Sequence, residues 1–442
     1  STQYENAVAQ PLGAISRSGP RFERVGGYFI EEVRRQLIEQ FGDNEKAGPY
    51  SVYSGGLWVR TSLNPELQEY TKAALRSGLL RYSSGKGWSG PINKIEIDEQ
   101  WAQRLNSTFI NTDYENWQIA VAIRTTGGGA EIGFSDGTTG RINSVPGALK
   151  AGDIIAVSPV GGSNFKLENV PEVSGGMVVQ NPRNGRVWAM QGGFDDRMSS
   201  FNRATQAERQ PGSTIKPFVY ATALDQGMTP ATLIPDEPFC VYQSAALGRK
   251  CFQNFGNSRG AGEQTLRWGV EQSRNLMTVR AANDAGMENV VKTIKTMGIG
   301  DYKPYLAFAL GAGDTTVMKL TNAYSMLANH GRELKPTVID FVQDRHGKVI
   351  FRADKRACEN CNLRDWDGQP MPRPRPAGKQ LMDPMTAYQM IDIMQGVITR
   401  GTAQNLKSLE RPLFGKTGTT SGPTNVWFVG GSPDMVAGVY LG

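Results

Sequence analysis

The sequence of 442 residues predicts an α+β protein with two or three domains. Three observations support this fold class. Apolar residues recur at helical spacing in several segments, and a stretch of short alternating runs separates an early helical part from a later one. Strand-like segments also flank the later helices from both sides, which favours a sheet built from distant parts of the chain.

The first predicted region, 1–87, has a helix–strand–helix pattern and is interpreted as a linker with the remnant of a preceding domain. Apolar residues recur at helical spacing from Phe29 to Phe41, so the segment 28–41 predicts an amphipathic helix. The run "GGLWVRTSL" then predicts a short strand. Asn64 and the proline after it open a second predicted helix, "NPELQEYTKAALRSGLLRY".

The second region, 88–170, has a different texture. Short alternating runs such as "WQIAVAIRT", "AEIGFSD" and "DIIAVSPV" are separated by glycine-rich turns. This pattern predicts a small all-β module, barrel-like or sandwich-like.

The third region, 171–442, mixes strands and helices. "GGMVVQNPRNGRVWAMQGG" predicts a hairpin with Asn184 and Gly185 at its turn. Helices are expected at 213–226, around 265–285, and at 288–297, 315–330 and 384–400. "PLFGKTGTT" and "NVWFVGGSPDMVAGVYLG" predict the closing strands, and the proline-rich stretch 368–378 predicts a surface loop.

The charge and the chain ends restrict the classes of partner. The net charge of +6 is spread along the chain rather than blocked, and no nucleic-acid-binding motif is present. No run of about eighteen apolar residues occurs, so no segment is expected to span a membrane. Both ends read as interior sequence, so we expect further segments, including a membrane anchor, outside this chain.

The four cysteines form two local pairs, Cys240 with Cys251 and Cys358 with Cys361. Two pairs are consistent with disulfides in an oxidising compartment, although unpaired thiols stay open at this point. The Cys-x-x-Cys pair has no second pair at zinc spacing, and the chain has only two histidines. We therefore expect no metal site and no cofactor.

The stretch "RQPGSTIKPF" places Ser213 and Lys216 one helical turn apart, at the start of an apolar run. Residues at i and i+3 share a helix face, so the lysine amine can act as the base for the serine hydroxyl. His330 and His346 lie in polar surface contexts, which leaves lysine as the available base. A neutral lysine requires burial and a nearby cation, for which Lys416 is the candidate.

Ser-x-x-Lys alone is a weak motif, because Ser83–Lys86 and Ser163–Lys166 match it in flexible or β contexts. A Ser-x-Asn pattern is equally weak alone, because Ser200 and Asn202 also match it. The prediction rests on an ordered triple instead. It consists of Ser213 with Lys216, then Ser273-x-Asn275 in "EQSRNLMTV", then Lys416-Thr417-Gly418 in "FGKTGTT".

With these motifs, the chain resembles the class A, bifunctional penicillin-binding proteins of the 1a type. "RATQAERQPGSTIKPFVYATALDQG", "FALGAGDTTVMKLTNAYSMLANHG", "IMQGVITRGTAQ" and "WFVGGSPDMVAGVYLG" carry the resemblance over 171–442. It extends more loosely to 28–85, and the β module resembles the family's OB-like insertion. The resemblance implies a serine β-lactamase/transpeptidase-like domain, with a central antiparallel sheet and helices on both faces.

The resemblance also implies roles at the matching positions. Ser213 is the expected nucleophile, Lys216 its base, Ser273 and Asn275 the proton shuttle and amide holder, and Lys416 a source of positive potential. Substrate and oxyanion contacts are expected from Thr417, Gly418, Thr419 and Trp427. The backbone N–H groups of Ser213 and Thr419 would form the oxyanion hole.

The implied activity is a peptidoglycan DD-transpeptidase that β-lactam antibiotics acylate and inhibit. Its partners would be stem peptides and glycan strands, with cell-wall synthesis regulators on the β module, at the periplasmic face of the bacterial inner membrane. The family's glycosyltransferase domain is absent, although "TQYENAVAQPLGAI" resembles its last helix. The family usually has an aspartate where Asn425 stands, so no acid is assigned there.

Two other readings compete with transpeptidation. One is a hydrolase, either a DD-carboxypeptidase or a β-lactamase, but we find no Glu-x-x-x-Asn segment in the context that activates a deacylating water. The other is a sensor or binding module that is acylated and transmits a signal, but no signalling domain is visible in the sequence.

Overall fold

The computed structural model describes residues 25–244, 248–356, 364–365, 367–370, 376–420, 422 and 424–442. Its helices, α1 to α9, are Gly27–Phe41, Pro65–Ser83, Trp101–Ser107, Lys216–Asp225, Leu266–Glu271, Asn275–Ala285, Met287–Thr296, Val317–Ala328 and Pro384–Thr399. Strands β1 to β9 are Trp58–Thr61, Asn93–Lys94, Gln118–Thr126, Gly129–Gly133, Thr139–Ile142, Asp153–Gly161, Asn164–Glu168, Gly175–Gln180 and Val187–Gln191. Strands β10 to β18 are Leu233–Asp236, Phe239–Ser244, Gly248–Phe252, Gly262–Thr265, Ile339–Gln343, Val349–Arg352, Phe414–Thr419, Val426–Gly431 and Val436–Leu441.

The third region is organised around a five-stranded sheet in the order β16-β17-β18-β8-β9, and every neighbouring pair is antiparallel. Its strands come from both ends of the region, which confirms the predicted sheet of distant segments. The hairpin β8–β9 forms around the predicted turn, where the Asn184 side chain accepts the N–H of Arg186. Its inner strands are buried because helices cover both faces.

The two faces of this sheet are covered by different helices. Directly paired residues share a face, so Lys416, Val429, Gly438 and Val178 point the same way. That face packs against α8, since a Cβ on Gly438 would lie 2.0 Å from Oγ1 of Thr321 in that helix. The opposite face carries Val439 and Leu441, which cluster with residues of α2. The structure confirms the predicted α+β class and this layering.

The second region contains a closed barrel. Its strands follow the order β6-β3-β4-β5-β7, and a further pairing of β6 with β7 closes the ring. Small and β-branched residues such as Ala120, Ala122 and Ile132 fill its interior. The parallel pair β5–β7 in an otherwise antiparallel ring corresponds to an OB-like barrel.

The expectation of an all-β module is wrong in one respect, because helix α3 lies within it. Trp101 and Leu105 are four residues apart, so they form one apolar stripe. Leu105 is buried in a cluster with Val121 and Ile154 of the barrel. The helix therefore closes over the barrel wall, a role that the alternating strand pattern around it did not reveal.

The other predicted helices form within a few residues of their expected bounds, with one exception. The helix expected around 265–285 is broken into α5 and α6. The break contains Ser273, whose φ of +57° lies in the left-handed region. The apolar periodicity continues through the break, and for that reason the sequence suggested a single helix.

The strand of the linker region also joins the third region. β1 pairs with β14, and β14 with β15, in a three-stranded sheet. No helix in the part of the chain described here combines the length and apolar character needed to cross a bilayer. The segment "TQYENAVAQPLGAI", the pair Cys358 and Cys361, and residues 371–375 of the proline-rich stretch lie outside the described residues.

Candidate active site

The first motif forms a tight helical start. Ser213 lies in a 3₁₀ turn, Gly212–Ile215, that runs directly into α4, and the N–H of Lys216 donates to the carbonyl oxygen of Ser213. A 3₁₀ turn has three residues per turn, so residues at i and i+3 lie one above the other. Ser213 and Lys216 therefore share a face more closely than the predicted α-helix required.

Gly212 allows the serine turn to approach the sheet edge. Its φ is +53°, and a Cβ there would lie 2.6 Å from the carbonyl oxygen of Thr419. The positive φ and the close contact both exclude a side chain at this position. A glycine before the nucleophile therefore brings the serine turn against β16, which carries the third motif.

Lys216 is fully buried and its amine is held by the second motif. Nζ donates to the carbonyl oxygen of Ser273 at 2.6 Å and to Oδ1 of Asn275 at 2.7 Å. Neither acceptor carries a proton that it could donate to the amine. A neutral amine has two hydrogens and one lone pair, so these two bonds use its hydrogens and leave the lone pair for a hydroxyl proton.

Lys416 reaches the same point from the sheet. Its Nζ donates to Oγ of Ser273 at 2.8 Å and to the carbonyl oxygen of Thr417 at 3.1 Å. The Ser273 hydroxyl also lies 3.4 Å from Nζ of Lys216. Ser273 therefore stands between the two lysines, and its left-handed backbone brings both its hydroxyl and its carbonyl into the contact.

Burial lowers the pKa of both lysines, and nearby cations lower that of Lys216 further. The pKa of Lys216 is held well below its usual value, first by burial and then by the nearby cations Lys416 and Arg274. Burial lowers the pKa of Lys416 to about 7. A charged ammonium loses its hydration in such a site, so the neutral form is favoured. The predicted neutral base therefore has a physical basis in this structure.

Strand β16 offers a free edge to the serine. It is the outermost strand of its sheet. The N–H of Thr420 donates to Asn425 of the neighbouring segment, and antiparallel pairing alternates, so the N–H of Thr419 points away from β17. Ser213 lies in the first turn of a helical segment, where N–H groups lack an intrahelical partner. Both amides are therefore left without a partner in their own element, and such free N–H groups are what an oxyanion hole requires.

One cavity of about 860 Å³ collects most of the predicted site residues. Six of them line it: Ser213, Ser273, Asn275, Thr417, Gly418 and Thr419. The two lysines lie behind this lining, fully buried. Ser213 lines the cavity, and its Oγ has no hydrogen-bond partner among the described residues.

Trp427 does not lie where a substrate contact requires it. It is 3% exposed, packs against Tyr440 with ring centroids 5.0 Å apart, and is not part of the cavity lining. Residues paired across the sheet share a face, and Trp427 pairs with Gly418 on the face that packs against α8. The structure therefore gives Trp427 a packing position, and we assign it no substrate contact.

Several lining residues had no motif to reveal them. Thr402, just after α9, shares a 2.7 Å hydrogen bond with Thr417 through their hydroxyls. Gln253 and Asn254 follow β12 and contact Asn275. The string "IMQGVITRGTAQ" pointed to the family, but nothing in it indicated that Thr402 would face the third motif. The two histidines are exposed and line no part of the cavity.

The Cys240–Cys251 pair forms a disulfide that joins β11 to β12 beside this cavity. The alternative of free thiols at this pair is therefore wrong. The bridge ties the hairpin together just before Gln253 and Asn254, so the wall that they form is covalently braced.

This fold, with a serine turn, two buried lysines and a free sheet edge around one cavity, defines the class of serine transpeptidases and serine β-lactamases. The family model of the penicillin-binding protein transpeptidase domain matches residues 175–439 of this sequence. The chain belongs to the penicillin-binding protein transpeptidase family. The resemblance drawn from the motifs is confirmed.

The similar proteins include penicillin-binding proteins 1A. That of Rickettsia prowazekii is 34% identical over 454 residues, covering 99% of this chain and 56% of that protein. That of Neisseria gonorrhoeae is 32% identical over 437 residues, covering 94% and 52%. The chain thus spans about half the length of these curated relatives. The crystal structure of penicillin-binding protein 1A from Haemophilus influenzae matches with a TM-score of 0.78 at 26% identity, over 100% of this chain and 69% of that one.

Proposed function

We propose that this chain is the DD-transpeptidase part of a 1A-type penicillin-binding protein. The observation that carries the proposal is the contact of Lys216, Ser273 and Lys416 beside a cavity lined by Ser213. The substrate is a peptidoglycan stem peptide that ends in D-Ala-D-Ala. β-Lactams, which carry a strained amide in the same position, acylate the same serine.

In the acylation step, the lone pair of Lys216 takes the proton of Ser213 while Oγ attacks the carbonyl carbon of the penultimate D-Ala. The carbonyl electron pair moves onto oxygen, where the N–H groups of Ser213 and Thr419 stabilise it. Losing one such donor typically raises the barrier by about 3 kcal/mol. The C–N bond then breaks, and terminal D-Ala leaves after its nitrogen gains a proton through the Ser273 hydroxyl.

In the second step, the amine of a neighbouring stem peptide attacks the ester carbon. It loses a proton to the same lysine–serine relay, and the bond from Ser213 Oγ to the acyl carbon breaks. This forms the cross-link and restores the serine hydroxyl. The hydroxyls of Thr417 and Thr419 line the cavity and suit the terminal carboxylate of the donor.

The cavity lining favours aminolysis over hydrolysis. Among the described residues that line it, none is an aspartate or a glutamate. A β-lactamase needs a general base for the deacylating water, and carboxylates serve that purpose in the class A enzymes. An acyl-enzyme in this cavity is therefore long-lived until an amine arrives.

The likeness to penicillin-binding proteins 1A and the OB-like barrel support a proposal about the cellular setting of the enzyme. We propose action on the periplasmic face of the inner membrane, anchored by a segment outside this chain. The full-length protein would also carry the glycosyltransferase domain of its class. The OB-like barrel is the proposed contact surface for cell-wall synthesis regulators.

The test is labelling with fluorescent penicillin, followed on denaturing gels. We expect durable label that is lost in Ser213→Ala, and no change in Ser163→Ala or Ser83→Ala. Lys216→Ala is expected to lower the acylation rate by about 10²- to 10⁴-fold, the usual contribution of a general base. Labelling that survives Ser213→Ala would exclude the proposed nucleophile, and rapid drug turnover would indicate a lactamase instead.

A further inference from the structure

The segment between β10 and α6 contains polar side chains that contact Ser273-x-Asn275, the second motif, but not Ser213. We propose that Asn254 is a positioning residue for acyl transfer, which holds the start of α6 and with it Ser273 and Asn275. The inference rests on the proposed function, because the groups it positions are those of the proton relay.

Asn254 caps helix α6 from outside that helix. Its Oδ1 accepts the N–H of Asn275 at 2.9 Å and the N–H of Leu276 at 3.3 Å. The residue at the N-cap position, Arg274, supplies no side-chain cap. The first N–H groups of a helix have no intrahelical partner, so Asn254 satisfies two groups that would otherwise be unpaired.

The neighbouring residue fixes the Asn275 side chain. Nδ2 of Asn275 donates to the carbonyl oxygen of Gln253 at 3.0 Å, while its Oδ1 accepts from Lys216. Residues 253 and 254 thus hold both the backbone and the side-chain amide of Asn275. This orientation points Oδ1 of Asn275 toward Lys216, where it accepts one of the two hydrogens of the neutral amine.

A buried carboxylate orients Asn254 in turn. Nδ2 of Asn254 donates to Oδ1 of Asp236 at 2.9 Å, so its Oδ1 is left to face α6. Oδ2 of Asp236 accepts from Nε of Arg274 at 2.7 Å and from the N–H of Ala261 at 3.0 Å. Asp236 is fully buried and Asn254 is 5% exposed, so this network is shielded from water.

Asp236 also balances the charges around the base. The charged groups that act on Lys216 are Lys416 from β16, Arg274 ahead of α6, and Asp236 at the end of β10. The two cations lower the pKa of Lys216, and Asp236 raises it. The positioning network is therefore also an electrostatic one, which gives it a measurable effect beyond folding.

The hairpin β11–β12 lies between the two residues of this network in the chain. Asp236 precedes the hairpin and Asn254 follows it, and the Cys240–Cys251 disulfide joins the two strands between them. The hydrogen bond from Asn254 to Asp236 and the disulfide thus lie at the same end of one loop. The covalent link limits how far the two side chains can separate.

The experiment measures acylation of the full chain by benzylpenicillin in stopped flow, so that the binding constant and the maximal acylation rate are obtained separately. Rates are expressed per active site titrated. We expect Asn254→Ala to lower the maximal rate about 10- to 100-fold while the penicillin binding constant changes less than about threefold. Asn283→Ala, on the exposed side of α6, is the matched control and should keep the wild-type rate.

Asp236→Asn provides a second readout that does not depend on the rate alone. Removing the negative charge lowers the pKa of Lys216 further, so the acid limb of the pH–rate profile should move to lower pH. A residue that only supports folding would reduce the number of active sites and leave both the rate per site and the profile unchanged. A wild-type rate per site in Asn254→Ala, or an unmoved acid limb in Asp236→Asn, overturns the proposal.

These outcomes are distinct from failure of the proposed function. If Ser213 is not the nucleophile, the wild-type chain itself shows no label on that residue. If Ser213 is labelled normally and the Asn254→Ala rate per site is unchanged, only the positioning role is refuted.

Discussion

At the residue scale, the site depends on two buried lysines that share one hydroxyl. Oγ of Ser273 accepts from Lys416 and lies next to Lys216, and both lysines are fully buried. Two ammonium groups so close together repel each other strongly where water is excluded. The arrangement therefore favours one neutral amine, the base, beside one amine that can donate a proton.

Burial of Lys416 lowers the free energy of unfolding, although the residue supports the proposed acyl transfer. Its pKa is about 7 in the folded protein and near 10.5 when exposed. Between these values the unfolded chain binds a proton that the folded chain does not, so the free energy of unfolding rises with pH across this window. At pH 7 the wild-type protein carries nearly the whole cost of burying this lysine.

We therefore expect Lys416→Met to raise the free energy of unfolding at pH 7 by about 2 kcal/mol, because methionine fills the space without a charge. It should also weaken the pH dependence between about 7 and 10.5, where Lys216 still contributes, and reduce penicillin acylation strongly. Denaturant melts at several pH values measure the first two effects. Lys295→Met, at an exposed position, is the control, and an equal gain in both variants would contradict the account.

At the element scale, hydrogen bonds hold the end of α9 against the end of α5. Arg400 donates through Nε and Nη2 to the carboxylate of Glu271 at 2.9 and 2.6 Å, and the N–H of Thr402 donates to the carbonyl oxygen of Glu271 at 3.2 Å. This places the Thr402 hydroxyl against Thr417. The contact therefore links a helix end to the side of the cavity that Thr417 lines.

Arg400→Met should lower the free energy of unfolding by about 2 kcal/mol, because the Glu271 side chain is only 4% exposed and loses its partner. Since Thr402 is displaced with it, we expect weaker penicillin binding, a several-fold rise in the dissociation constant, with a smaller change in maximal acylation rate. Arg267→Met removes a more exposed pair with Asp392 and should cost less than about 1 kcal/mol. Equal effects of both variants on stability and on binding would refute the fastening role.

At the scale of the whole molecule, Arg76 joins three regions. It donates to the carbonyl oxygen of Phe194 at 2.6 Å, and it is paired with Asp113 at the entry to the barrel and with Asp195 in the third region. The Thr112 hydroxyl and the N–H of Asp113 also donate to Asp195. Burial raises the pKa of the Asp195 carboxyl, which marks it as a poorly solvated charge.

Replacing Arg76 with methionine leaves the buried Asp195 without its cation. We expect a loss of about 3 kcal/mol in the free energy of unfolding, the usual effect of removing one partner of a buried pair. The barrel should become loosely joined, with faster proteolysis in 108–117 under native conditions. Arg124→Met removes an exposed barrel pair with Glu131 and should change stability by less than about 1 kcal/mol, with cleavage unaltered. Wild-type proteolysis in Arg76→Met would contradict this role for the arginine.

Local sequence patterns predicted a large part of the fold. Apolar periodicity predicted most helices close to their observed bounds, and glycine-rich alternation predicted the barrel. Periodicity failed at the break between α5 and α6, because the apolar spacing runs on through Ser273 while the hydrogen bonds do not. It also failed for α3, whose short stripe was hidden among strands.

The motifs identified Ser213, Lys216, Ser273, Asn275 and Lys416. The distances between these residues, however, are set by the tertiary fold. Trp427 follows the third motif closely in sequence, yet the pleat turns it into the core. Asn254 and Thr402 carry no motif at all, and they reach the site only because a hairpin and a helix end fold against it. Residue types thus indicated the chemistry more readily than they indicated the supporting contacts.

By itself, the sequence determined the class of the protein, the segments that form the main sheet and the side chains able to do acyl transfer. Spacing along the chain is enough for these, because helices and strands impose short repeats and the serine lies one turn from its base. The tertiary structure alone decided that Lys416 meets Ser273, that both lysines lose their water, and that Asn254 caps α6. These contacts join segments far apart in the chain, and no local repeat encodes which distant surfaces pack together.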